Sequence, residues 1–327
     1  MKTAIGVDLG GSHVTAAVVD ENGKILGSHE QDIEEHGVDV VLKATGDMID
    51  AALHDRCAEG VVGIGIGSPG NIDLRSGTIR YSPNFQWENV PLGGRLRDRF
   101  KEPIYVGNDA RCAALGEYTY GSGRGTRNFV LLTLGTGIGG GIVADGDLVL
   151  GTAAGAGEIG HHQIRAHDGF VCNCGKIGCF EAQASGTGLI RHALAVRDSF
   201  PRSTLLERKP EKLSSKAIRK AAQAGDRHAL TAWRNFCEDL AIGVSNVIAF
   251  VNPQVIALGG GVSTAGDFML DSIRNRVDEL TTMVPKRETH VVVAQLGNDA
   301  GPIGAATMAM RGGLRTKVDA TSLGLPH

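Results

Sequence analysis

Two stretches of the chain carry the same order of apolar and polar positions. Residues 4 to 27, AIGVDLGGSHVTAAVVDENGKILG, read as an apolar strand, a glycine turn and a second apolar strand. A polar turn at Asp20 to Gly23 and a third short strand ending at Gly27 complete the unit. Residues 129 to 151, FVLLTLGTGIGGGIVADGDLVLG, repeat that order, with the polar turn at Asp145 to Asp147 and the end at Gly151. A strand, a tight glycine turn and a returning strand make a hairpin whose turn amides point outward. Without a Cβ in the way, such a turn lets the backbone approach an anion. Two such hairpins facing each other across a cleft would hold the phosphates of one nucleotide.

Helical spacing follows the first unit over Val38 to Arg56. A short strand, Pro103 to Gly107, leads into a second helical stretch from Asn108 to Tyr120, where Ala110, Ala113, Ala114 and Tyr118 recur at the helical period. Residues 186 to 250 are largely helical in pattern, with a charged face over Glu211 to Arg227 and an apolar run from Ala241 to Val251. Gln254 to Leu258 reads as a buried strand that ends in Gly259, Gly260 and Gly261. Strands alternating with helices predict an α/β protein.

A length of 327 residues allows two lobes. With 42% hydrophobic and 21% charged residues and a net charge of -3, the chain has no basic excess to follow a phosphate backbone, so nucleic acid is not expected as a partner. The N-terminal MKTAIGVDLGG is too brief for a signal peptide. The uncharged stretch Ala241 to Gly266 is broken by Asn246, Asn252, Pro253 and three glycines, so neither membrane insertion nor export is expected and a cytoplasmic location is.

Two G-x-G-x-x-G matches, at Gly135 to Gly140 and Gly65 to Gly70, run into a strand and a turn where a dinucleotide fingerprint must open a helix. There is no G-x-x-x-x-G-K-[ST]. The remaining chemistry lies in three places. Asp8 ends the first strand just before Gly10 and Gly11, where a carboxylate can organise Mg²⁺ through water. Asp109 follows Asn108 at the end of a strand, where it could cap the next helix or act as a general base on a hydroxyl. Cys172, Cys174 and Cys179 lie within ten residues of Glu181, in a chain with only three other cysteines. That spacing suits a closed zinc site lacking one ligand, for which His161, His162 and His167 compete.

Taken together, DLGGS at Asp8 to Ser12, PNFQWENVPL at 83 to 92, GNDARCAALGE at 107 to 117, LGTGIGGGIV at 134 to 143, GEIGHH at 157 to 162, CNCGKIGCFEAQASG at 172 to 186 and LGGGV at 258 to 262 form a specific set. The chain resembles the ROK family of sugar kinases, and within it the bacterial glucokinases, from Ile5 to about Ala309. Two departures stand out. Ser12 and His13 stand where relatives usually have Thr followed by Lys or Asn, and Ser68-Pro69-Gly70-Asn71 replaces an apolar-Pro-Gly-Pro.

The resemblance implies an actin-like, hexokinase-like (ASKHA) ATPase fold with two lobes around a cleft. It divides the chain into a small lobe of 1–110 plus about 300–327, and a large lobe of 111–299 that carries the zinc loop. It implies ATP-dependent phosphorylation of glucose to glucose 6-phosphate, with Asp109 as base. Asn84, Asn108, Asp109, Glu158, His161 and Glu181 would contact the sugar. Asp8, Gly10, Gly11, Ser12, Thr136, Gly137, Gly259, Gly260 and Gly261 would hold ATP and Mg²⁺. His161, Cys172, Cys174 and Cys179 would hold a structural Zn²⁺. A homodimer or homotetramer is the expected assembly.

The alternatives are an N-acetylhexosamine or fructose kinase on the same scaffold, and a sugar-binding protein without catalysis. A repressor of the family would carry a helix-turn-helix ahead of the phosphate loop. Here the strand of that loop begins at about residue 4, so none is expected.

Overall fold

The structure, a computed structural model, describes residues 2–203, 205 and 212–314. Part of the expected helical stretch after 186, at 204 and 206–211 including Glu211, lies outside the described residues, as do 315–327.

The chain opens with β1 (Thr3–Leu9), β2 (His13–Asp20), β3 (Ile25–Asp32) and α1 (Val38–Leu53). Next come β4 (Val61–Ser68), β5 (Asn71–Asp73), β6 (Thr78–Ser82), β7 (Trp87–Val90), α2 (Leu92–Arg97), β8 (Ile104–Asn108) and α3 (Asp109–Tyr120). The middle of the chain holds β9 (Phe129–Leu134), β10 (Ile138–Ala144), β11 (Asp147–Leu148), α4 (Phe180–Ala184), α5 (Gly186–Ala195) and α6 (Ser215–Gln223). It finishes with α7 (Arg227–Val251), β12 (Val255–Gly259), α8 (Asp267–Leu280), β13 (His290–Val293) and α9 (Ala300–Met310).

The repeated sequence pattern becomes a repeated topology. One sheet has the order β3-β2-β1-β4-β8 and another β11-β10-β9-β12-β13. In each, the outer hairpin is antiparallel, and the strand that leads into the glycine turn is followed by parallel neighbours. The third strands differ from the expected lengths. β3 continues past Gly27 because all of β2 pairs with it, His13 standing opposite Asp32. β11 keeps two residues, and Gly151 at φ 69° turns the chain soon after. Helix α1 stops at Leu53 rather than Arg56, and the His54 ring bonds the Asp50 carbonyl at 2.7 Å just past its last turn.

Two compact units divide the chain. The first takes in the described residues of Met1–Gly125, Gly141–Gly157 and Leu296–His327, the second those of Thr126–Gly140 and Glu158–Gln295. In the first, α1 covers one face of β1, β2 and β3, its Val41, Ile49 and Ala52 sharing a buried cluster with Val7 and Val14. Helix α9 covers the other face, with Ile303, Ala306 and Ala309 against Ala4, Ala17 and Val19. Its sequence is apolar all round, as a helix buried on every side must be. A Cβ on Gly6 would lie 1.9 Å from the Pro302 carbonyl oxygen and one on Gly65 1.8 Å from that of Ala305. Only glycine lets α9 sit this close to β1 and β4.

A small sheet, β5-β6-β7, was not expected from the sequence. Its strands are too short to display a period, yet Ile72, Ile79, Trp87 and Val90 give it a buried face. In the second unit, α7 runs 25 residues with Trp233, Phe236, Leu240 and Val244 buried, and α4, α5, α6 and α8 pack on it. Among the described residues, no helix is long and apolar enough to cross a membrane.

Candidate active site

In the first unit the site begins where β1 ends. Asp8 is followed by the Gly10 to Ser12 turn, which closes with a bond from Gly10 N–H to the His13 carbonyl at 3.0 Å. Two groups from the following segment hold this turn. The His36 ring donates from Nε2 to the Gly11 carbonyl at 2.7 Å, and Ile33 N–H donates to the Ser12 carbonyl at 2.8 Å. His36 is itself fixed, its ring edge-on to Phe85 and its carbonyl accepting from Trp87 Nε1 at 2.9 Å. The β6–β7 turn that carries Phe85 also brings Asn84 to the Gly10 to Ser12 turn, its Nδ2 3.9 Å from where a Gly11 Cβ would be. His13 turns back over Gly10 and exchanges a bond with the Ser12 hydroxyl at 3.1 Å.

The capping role that the sequence left open for Asp109 falls to its neighbour Asn108. Asn108 is the helix cap: its Oδ1 accepts from Arg111 N–H at 3.2 Å, and its Nδ2 donates to the Gly70 carbonyl at 3.2 Å. Asp109 is therefore the first residue of α3, accepting from the Ala110 N–H at 2.8 Å. Asp8 and Asp109 lie close enough to repel. Burial first, and the Asp109 charge second, push the Asp8 carboxyl up to about 7. Gly301 lies against that carboxyl, where a Cβ would come within 2.7 Å of it. Arg111, a buried guanidinium that sequence reading passed over, donates to the Ala156 carbonyl at 2.7 Å and so holds the segment that leads toward Glu158.

In the second unit the turn between β9 and β10 is closed by Gly135 N–H to the Gly137 carbonyl at 3.0 Å. The start of α5 holds it from outside, with Gly186 N–H on the Gly135 carbonyl and the Thr187 hydroxyl on the Thr136 carbonyl, both 2.8 Å. Glu181, in the first turn of α4, accepts from Ile138 N–H at 2.9 Å through one oxygen and approaches Cys172 Sγ at 3.6 Å with the other. A Cβ on Gly137 would lie 2.3 Å from this carboxylate, so Gly137 and Glu181 are matched. Gly259 ends β12, and Gly260 takes φ 80°, where a Cβ would lie 2.7 Å from the Leu134 carbonyl oxygen. The Ser263 and Thr264 hydroxyls donate to the Gly260 and Gly261 carbonyls, both at 2.7 Å.

Glu158 precedes a single helical turn, Ile159–His161, and its carbonyl accepts from His161 N–H at 3.1 Å. That turn separates the competing histidines. His161 Nδ1 lies 3.7 Å from Cys172 Sγ, and Cys174 and Cys179 sulfurs are 3.6 Å apart. The four ligand atoms all lie within 4.8 Å of one another. The next residue, His162, points the other way: its Nδ1 donates to the Ile159 carbonyl and its ring packs on Phe180. His167 is exposed and is not among the clustered donors. Burial pushes the Cys172 thiol up to about 12.

Comparison with known proteins agrees along most of the chain. The glucokinase of Thermotoga maritima is 38% identical over 308 residues, which cover 93% of this chain and 96% of that one. The glucokinase of Halalkalibacterium halodurans is 37% identical over 305 residues, 92% of each. The crystal structure of a ROK family glucokinase from Streptomyces griseus in complex with glucose and AMPPNP is 34% identical, with a TM-score of 0.80 over 94% of this chain and 99% of that one. The fold is thus the actin-like, hexokinase-like one that the duplicated pattern and the motifs pointed to. With residues 4–311 matching the family model and the strand order repeated in both sheets, the chain belongs to the ROK family.

Proposed function

We propose that the protein transfers the γ-phosphoryl group of ATP to the 6-hydroxyl of glucose, with Asp109 as general base. The observation that carries this reading is the division of labour at the end of β8. Asn108 caps α3, and Asp109 beside it keeps a carboxylate at the mouth of the strand. In the step, Asp109 accepts the proton of the 6-hydroxyl while that oxygen bonds to the γ-phosphorus and the bridging oxygen leaves with ADP. Phosphoryl transfer needs positioning and charge stabilisation more than covalent chemistry. The amides of the Gly10 to Ser12 turn and of Thr136 and Gly137 supply donors to the phosphates, and Gly259 to Gly261 lie against the adenosine. Bound Mg²⁺ supplies positive charge to the phosphates. Asp8 is the residue that would hold it through water, and a cation beside this desolvated carboxyl favours its ionised form.

Asn84, Asn108 and Glu158 would contact the sugar together with His161 and Glu181. His161 presents Nδ1 to the cysteines, so Nε2 is the atom left for a sugar hydroxyl. We infer that His161, Cys172, Cys174 and Cys179 hold a structural zinc. Tetrahedral zinc with bonds of about 2.3 Å sets its sulfurs about 3.8 Å apart, close to the 3.6 Å between Cys174 and Cys179. Held this way, the loop presents His161 and Glu181 in fixed positions, an orienting role.

The test is ADP formation from ATP and Mg²⁺ with glucose, N-acetylglucosamine, N-acetylmannosamine, mannose and fructose. A glucose preference is expected. Asp109→Asn should lose at least ~10² to 10⁴-fold in kcat while still binding sugar. Near-normal turnover in that variant would exclude Asp109 as base. Preference for another hexose would keep the mechanism and change the substrate.

A further inference from the structure

Asp239 is a carboxylate with no exposed side-chain surface, on the central helix α7 of the second unit, and the proposed chemistry does not use it. One oxygen accepts from Arg165 Nε at 2.6 Å. The other lies 3.1 Å from His192 Nε2 on α5 and accepts no hydrogen bond among the described residues, the same ring nitrogen lying 3.1 Å from the Gln183 carbonyl. A buried carboxylate without partners carries a large desolvation cost, so this one ties the Arg165 guanidinium to α7.

Arg165 stands at the entrance to the cysteine loop, and its backbone is bonded to the loop's exit. Ile164 and Arg165 N–H both donate to the Gly178 carbonyl, at 2.8 and 3.2 Å, and Phe180 N–H donates to the His162 carbonyl at 2.8 Å. Entrance and exit are therefore tied directly to each other. One helical turn beyond Asp239, Gly243 receives the Phe180 ring, where a Cβ would lie 2.1 Å from a ring carbon. The same face of α7 thus fastens both ends of the loop, the entrance by charge and the exit by a notch. His161 lies just outside the first fastening and Glu181 just beyond the second. None of these contacts passes through the cysteine sulfurs.

We propose that Asp239 is a positioning residue for the sugar site: through Arg165 it anchors the cysteine loop to α7 and sets His161 and Glu181, independently of the metal. The functional consequence rests on the sugar-kinase reading, whereas the anchoring does not.

The test compares wild type with Asp239→Asn, which keeps the shape and removes the charge. Arg165→Gln, at a side chain 32% exposed, carries the test if the first variant does not fold. Both should keep one zinc per chain and raise KM for the sugar at least ~10-fold, with kcat and KM for ATP changed less than ~3-fold. An unchanged sugar KM in a folded, zinc-loaded variant, or equal losses in every kinetic constant, would overturn the proposal. Hydrogen exchange across residues 160–181 gives a second readout that needs no turnover. After metal is removed by a chelator, wild type should retain slow exchange there and the variants should lose it. Equal protection in wild type and variants would overturn the anchoring whatever the sugar proves to be. Wild type inactive on every hexose would instead defeat the kinase reading and leave the exchange experiment to decide the anchoring.

Discussion

Asp8→Asn should make the ligand-free protein more stable above neutral pH while it removes turnover. The carboxyl at the end of β1 is raised from its ordinary 3.8 to about 7, by burial and by the charge of Asp109. Because the folded form binds this proton more tightly than the unfolded form, it carries the excess proton between about pH 4 and 7, and stability falls as pH rises through that window. Above it the whole penalty is present. A rise of about three pKa units at about 1.4 kcal/mol each sets a ceiling near 4 kcal/mol. Relaxation and residual denatured-state structure bring the expectation to roughly 2 kcal/mol. For a unit of this size that corresponds to about 4 to 8 °C in Tm. Scanning calorimetry of ligand-free wild type and Asp8→Asn at pH 8 and pH 4.5 measures it. The gain should be largest at pH 8 and shrink to about 1 kcal/mol or less at pH 4.5. Asp109→Asn, which removes only the smaller cause, should stabilise less. An Asp8→Asn protein no more stable than wild type at pH 8, or with an equal advantage at both pH values, would refute the reasoning.

Two other substitutions and conditions probe the second unit. Gly137→Ala would place a methyl 2.3 Å from the Glu181 carboxylate and drive it off the Ile138 amide, so kcat/KM for the sugar should fall at least ~10-fold. Steady-state kinetics of that variant check it, and an unchanged kcat/KM would separate Glu181 from the site. Metal analysis should find one zinc per chain, lost in Cys174→Ser. Because burial holds the Cys172 thiol up at about 12, protons compete strongly for that sulfur, and metal release to a chromogenic chelator should speed up as pH falls.

What could be read from the sequence was local. The order strand, glycine turn, strand in two places follows from apolar runs and from glycines within a few residues of each other, and it became two sheets of identical order. The strand before Asn108 and the helix after it were legible for the same reason, and so was the crowding of Cys172, Cys174 and Cys179. The β5-β6-β7 sheet was not, because strands of three to five residues show no period. Spacing alone could not choose among His161, His162 and His167. One helical turn places His161 beside Cys172 and sends the next side chain, His162, toward the Ile159 carbonyl.

The long-range contacts around the candidate site residues belong to tertiary structure alone. Arg111 with Ala156, Glu181 with Ile138 and Arg165 with Asp239 are 45, 43 and 74 residues apart. Backbone preference and side-chain period act over a few positions of chain, and they determined which elements form. Which buried charge meets which amide or guanidinium depends on how those elements pack, and only the fold brings such partners together where water cannot replace them.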